Sequence, residues 1–128
     1  TMSDVVSMVA QGLNNTIGDF RVVTPAQKQE AMRWLKILHI EHLAEHRFNT
    51  LSTGEQRLAL LARTFIKQPQ LLILDEPLHG LDMARKRSVR AIINRLVARD
   101  GLTLIYVTHY LSEEPDCVTH TKTLERKA

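Results

Sequence analysis

The sequence is short of several things, and each shortage narrows what it can be. A single cysteine, Cys117, stands alone in 128 residues, so no internal disulfide can form and a reducing cytosol is the expected setting. Aromatic residues are only 5%, and Trp34 and Phe48 are too isolated to form a base-stacking platform, so packing is their expected role. No apolar run approaches the ~20 residues that span a bilayer, and no signal peptide opens the chain. Neither sign of charge dominates: a net charge of +3 makes no case for a nucleic-acid partner by itself. The five glycines, at positions 12, 18, 54, 80 and 101, are scattered, and no G-x-x-x-x-G-K-[ST] phosphate loop occurs. Thr1 precedes Met2, so the chain is expected to be a piece of a longer polypeptide.

What is present suits a globular unit. Hydrophobic residues are 44% of the chain, and a chain this long can bury roughly two thirds of its unfolded surface. "SDVVSMVAQGL" places Val5, Val6 and Val9 at helical spacing, with Gly12 near the stop. Thr24, Pro25 and Gln27 form a capping box ahead of a helix whose apolar side is Met32, Trp34, Leu35, Ile37 and Leu38. "STGE" is a second capping box, opening a helix that ends before Pro69.

Beyond Pro69 the pattern changes. "LLILD" is a continuous apolar run, as expected of a strand covered on both faces of a parallel sheet. Asp82 caps a helix that stops at Gly101, with Val89, Ile92, Ile93, Leu96 and Val97 as one stripe. "LTLIYVTH" reads as a second buried strand, which makes the whole a right-handed parallel crossover unit. The fold class is α/β, with a helical part at 1–68 and a strand-containing part at 69–128.

The chemistry collects at strand and helix ends. Asp75 and Glu76 close an apolar strand, where mutual repulsion and desolvation cost energy unless a cation offsets them. Ligands of parallel sheets bind beyond such carboxyl ends, where His109 also falls. Asp75 suits Mg²⁺, Glu76 can polarise a water as general base, and His109 can orient that water. The bland alternative is a helix-capping carboxylate and a satisfied histidine. Ser52 and Gly54 offer a hydroxyl, backbone N–H groups and a helix dipole, which suits phosphate; here the bland alternative is a well-capped helix.

Taken together, "LSTGEQ", "LLILDEP", "LHGLD" and "VTH", in that order, resemble the ATP-binding cassette (ABC) ATPases. The resemblance implies a helical subdomain followed by a P-loop NTPase-type parallel sheet fragment, with the Walker A half missing. It implies ATP and Mg²⁺ as cofactors, with Asp75 as the Walker B metal carboxylate, Glu76 as catalytic base and His109 as switch histidine. Ser52, Thr53, Gly54, Glu55 and Gln56 would form the signature, acting on ATP held by another cassette, with Asp82 of the D-loop at the seam. Thr53 departs from the usual glycine, and Glu55 is inserted before Gln56. The implied partners are a second cassette, in the same chain or a dimer, and a membrane permease. The implied location is cytoplasmic, peripheral to the inner face of the membrane. Without the phosphate loop the chain alone is expected to be inactive. Its wording is most similar to tandem cassettes of molybdenum transport or photorepair. Two alternatives stay open: a non-transport ABC protein of DNA repair or translation, and an interaction module without turnover.

Two further signals carry less. "HLAEH", residues 42–46, matches an inverted zinc-protease pattern, but no third ligand accompanies His42 and His46, and a solvated helix end is the expectation. Arg85, Lys86, Arg87, Arg90, Arg95 and Arg99 interleave with the stripe after Asp82, which makes a solvated helix face the expectation over a nucleic-acid patch.

Overall fold

Capping residues set the helix starts. In the computed structural model, which describes residues 4–13, 23–100, 102–109, 115, 117 and 118, Asp4 caps α1 (Val5–Ala10) by accepting the Ser7 N–H at 2.9 Å. A short 3₁₀ turn, Gln11–Leu13, follows. Thr24 caps α2 (Pro25–Ile37) in a complete capping box, its hydroxyl accepting the Gln27 N–H and the Gln27 side chain accepting the Thr24 N–H. Ser52 and Glu55 do the same for α3 (Thr53–Phe65). Asp82 opens α4 (Met83–Asp100), its side chain accepting the Arg85 N–H at 2.8 Å.

The first three helices pack on one another through narrow apolar stripes. Ala31, Trp34, Leu35 and Leu38 share one face of α2 and are buried, while Ile37 lies off that stripe and is exposed. Contrary to expectation, Ile37 is therefore not part of the buried side of α2. Trp34 meets Phe65 of α3 with ring centroids 5.8 Å apart. Val5 and Val6 donate their N–H groups to the His46 and Ala44 carbonyls, which ties α1 to the chain ahead of α3. Gly12 is required where α1 ends: a Cβ there would stand 2.5 Å from the Arg63 carbonyl oxygen.

The strands β1 (Leu71–Asp75) and β2 (Thr103–Val107) pair in parallel, in a register running from Leu71 opposite Thr103 to Asp75 opposite Val107. Leu72 and Leu74 join the same buried cluster as Val89, Ile92 and Ile93 of α4, with Leu96 and Val97 packed against it. The other sheet face differs from expectation. Leu71, Ile73, Ile105 and Val107 are 50%, 59%, 46% and 45% exposed, so neither strand is covered on both faces. Side chains alternate across a strand, and the described residues bury only one side of this sheet. α4 ends at Asp100, and Gly101, its expected stop, lies outside the described residues.

Candidate functional site

Alternation along β1 carries Asp75 onto the open side of the sheet, beside Ile73, and leaves it exposed. Glu76 follows with a positive φ of 48°, a left-handed backbone that costs a non-glycine residue of order 1–3 kcal/mol. That turn sends the two consecutive carboxylates different ways. The expected desolvation penalty is not incurred here, because Asp75 is exposed and Glu76 only half-buried.

Pairing between the strands holds Glu76 in place. Its N–H donates to the Val107 carbonyl at 2.8 Å, continuing the parallel ladder one residue past the strand. Its Oε1 accepts the His109 backbone N–H at 2.7 Å and lies 3.6 Å from His109 Nε2. The imidazole is 86% exposed, against 23% for the Glu76 side chain, so the carboxylate is the fixed member and the ring the open one. Two residues 33 positions apart are thus brought together at the carboxyl ends of adjacent strands.

The turn after Glu76 is anchored by apolar plugs. The His79 N–H reaches the Glu76 carbonyl, the Leu81 N–H reaches the Leu78 carbonyl, and Leu78 and Leu81 are buried. Gly80 sits at φ 85°, where a side chain is disfavoured. This turn delivers exposed Asp82 to the head of α4.

At the head of α3, Ser52 and Thr53 are exposed and Gly54 is buried. The close approach that Gly54 permits is to this chain's own turn, since a Cβ there would lie 3.1 Å from the Gly80 carbonyl oxygen. The Ser52 backbone N–H holds the Glu55 carboxyl below its ordinary range; the Ser52 hydroxyl, Arg85 and His42 act in the same direction, and burial opposes them. Gln56 donates its side-chain amide to the Phe48 carbonyl at 3.2 Å, holding the short turn Phe48–Thr50 ahead of the helix. Neither Gly80 nor Arg85 stands out as a site residue from the sequence alone. The signal was a glycine inside "LHGLD" and a basic residue three positions past the helix cap, each ordinary on its own.

The sequence profile of the ABC transporter family matches residues 1–79. The chain belongs to the ABC transporter family. The ABC transporter ATP-binding protein ModF of Escherichia coli is 38% identical over 91% of this chain and 24% of its own length. The molybdenum import ATP-binding protein ModC of Mycobacterium tuberculosis is 34% identical over 84% of this chain and 29% of its own length. This ABC-family chain thus spans about a quarter of the length of those relatives. Among solved structures, a dimeric bacterial ABC transporter cassette is 26% identical, with a TM-score of 0.74 over 86% of this chain and 47% of that one. A post-hydrolysis cassette dimer bound to ADP and Pi, 24% identical, matches in fold with a TM-score of 0.76 over 88% of this chain and 48% of that one.

Within this family frame, the donor set suits Mg²⁺. That ion is commonly held by one or two carboxylates together with waters and substrate phosphates, and Asp75 offers one exposed carboxylate at a strand end. Among the described residues no group of three or more His, Cys, Asp and Glu could hold a metal, and His42 and His46 are both exposed. No helix among them is long and apolar enough to cross a membrane. On α4, Arg87, Arg95 and Arg99 are exposed while Arg85, Lys86 and Arg90 are half-buried, a mixed face rather than a continuous basic stripe.

Proposed function

We propose that this chain supplies the signature, Walker B, D-loop and switch-histidine surfaces of an ATP-hydrolysing cassette coupled to membrane transport. The observation that carries the reading is the Glu76 carboxylate pinned by the His109 N–H at 2.7 Å, at the carboxyl ends of paired parallel strands. A carboxylate fixed there by backbone rather than by a mobile side chain keeps one orientation while accepting a proton from water. Bound Mg²⁺ would supply charge neutralisation of the phosphates, and Asp75 is the residue to hold it. The exposed His109 ring, 3.6 Å from the Glu76 carboxylate, orients the attacked phosphate or the water. Ser52 and Thr53, exposed at the positive end of α3, contact ATP held by a second cassette, and Asp82 lies at the seam between them.

The α- and β-phosphates need a loop that this sequence does not contain, so a P-loop-bearing half completes the site. The names of relatives such as ModC and the molybdate import ATP-binding protein MolC of Haemophilus influenzae support a molybdenum-related importer, and the same reading gives the chain a permease as partner and a position at the cytoplasmic face of the membrane. In a cassette completed by a P-loop half, Glu76→Gln should slow hydrolysis by orders of magnitude while nucleotide still binds. Unchanged turnover would remove Glu76 as the base. Calorimetry of the chain alone should detect negligible Mg-ATP binding, and micromolar affinity would refute the need for a completing half.

A further inference from the structure

Two turns distant in sequence meet face to face in this chain. Gly54 and Gly80 each lack the side chain that would separate them: a Cβ on Gly54 would lie 3.1 Å from the Gly80 carbonyl oxygen, and one on Gly80 would lie 3.5 Å from the Thr53 Cγ2 methyl. Thr53 therefore fills space over Gly80, a packing role for the one signature position that departs from glycine. Arg85 reaches the same junction from α4. Its N–H is held by Asp82 Oδ1 at 2.8 Å, and its Nη1 lies 3.4 Å from where a Gly54 Cβ would stand. The guanidinium is thus laid against the first turn of α3, whose Glu55 carboxylate accepts the Ser52 N–H at 2.9 Å.

We propose that Arg85 is a positioning residue that clips the Ser52–Glu55 turn to the His79–Asp82 turn, so that Ser52 and Asp82 form one rigid edge. A change at the D-loop is then felt directly at the signature serine of the same chain. Arg85 suits the task because a planar guanidinium presents several fixed N–H donors from one side chain, whereas a lysine brings only a point charge. Arg85 and His42 are the basic groups that help to lower the Glu55 carboxyl, and Arg85 is the one that also belongs to the helix starting at the D-loop. The consequence for catalysis rests on the proposed function, but the clip itself does not.

The test compares Arg85→Gln and Arg85→Lys in the 128-residue chain by NMR. Arg85→Gln should raise the midpoint of the Glu55 carboxyl titration and speed several-fold the exchange of the Glu55 and Leu81 amides, which are hydrogen-bonded in the two turns, leaving the middle of α3 protected. Arg85→Lys should restore the titration and only part of the protection. Loss of protection spread evenly over α3 and α4, with the Glu55 midpoint unmoved, would reduce Arg85 to ordinary packing and overturn the clip. Glu55→Gln attacks the same junction from the α3 side. Its effect on exchange should be non-additive with Arg85→Gln, and additive effects would also overturn the clip. In a cassette completed by a P-loop half, Arg85→Gln should lower kcat several-fold with KM for ATP nearly unchanged. A clip verified by NMR with kcat unaffected would sink the catalytic reading of the signature turn and leave the clip standing.

Discussion

The three-helix cluster and the two-stranded sheet use similar residues and end in different states. α1, α2 and α3 point their main apolar stripes at one another, and Val5, Val9, Leu35 and Phe65 are almost entirely covered. The sheet is as apolar, yet Leu71, Ile73, Ile105 and Val107 each keep roughly half their surface in water. The difference lies in geometry. An amphipathic helix needs cover on one side only, whereas a parallel strand with apolar residues at successive positions needs cover on two. The stripes of the helices and the inner side of the sheet share one apolar cluster, and among the described residues the outer side of the sheet is left open.

Substitutions can break this contrast. Phe65→Ala should cost about 3–5 kcal/mol in urea unfolding, since it empties a filled site beside Trp34. Ile73→Ala, which removes a similarly apolar group from the bare face, should cost less than about 1 kcal/mol. Equal losses would mean that something covers the outer face in solution. The next effect is on association. Replacing Ile73 and Ile105 together by Glu should shift the chain toward monomer in size-exclusion chromatography with light scattering, because the open apolar face is the feature expected to drive self-association. An unchanged elution profile would clear that face of blame.

Smaller effects sharpen the helical side of the comparison. Ser52→Ala should cost about 1 kcal/mol by removing one half of the capping box, measured as a lowered thermal midpoint. The Glu55 carboxyl is held below its ordinary range, chiefly by the Ser52 N–H. Its stabilising contribution is therefore fully present above about pH 4.3, the ordinary value, and is lost as pH falls through the lower folded value. Glu55→Gln should flatten that acid limb of the stability profile, and a profile identical to the parent would show that the cap does not titrate with folding.

Local features were legible where the deciding partner is close in sequence. The boxes at Thr24 and Ser52, the cap at Asp82 and the parallel strands follow from residues three or four apart or from simple runs. The meeting of Glu76 with His109 was legible only through strand order, because both fall at strand ends. Three things were not legible, each for a physical reason. The open sheet face depends on what covers it, which a strand's own composition does not state. The left-handed backbone at Glu76 contradicts the residue's preference and is imposed by the ladder bond to Val107. The junction of Gly54 with Gly80 joins two turns that sequence reading treats separately.

The lone tryptophan has a practical bearing on all of this. Trp34 is buried against Phe65, inside the helical cluster. Intrinsic emission therefore watches that cluster melt, while an infrared amide band would watch the strands. Curves that coincide would mark one cooperative unit. Curves that separate, with the emission change the later of the two, would reveal a protein whose coiled portion outlives its pleated one on heating.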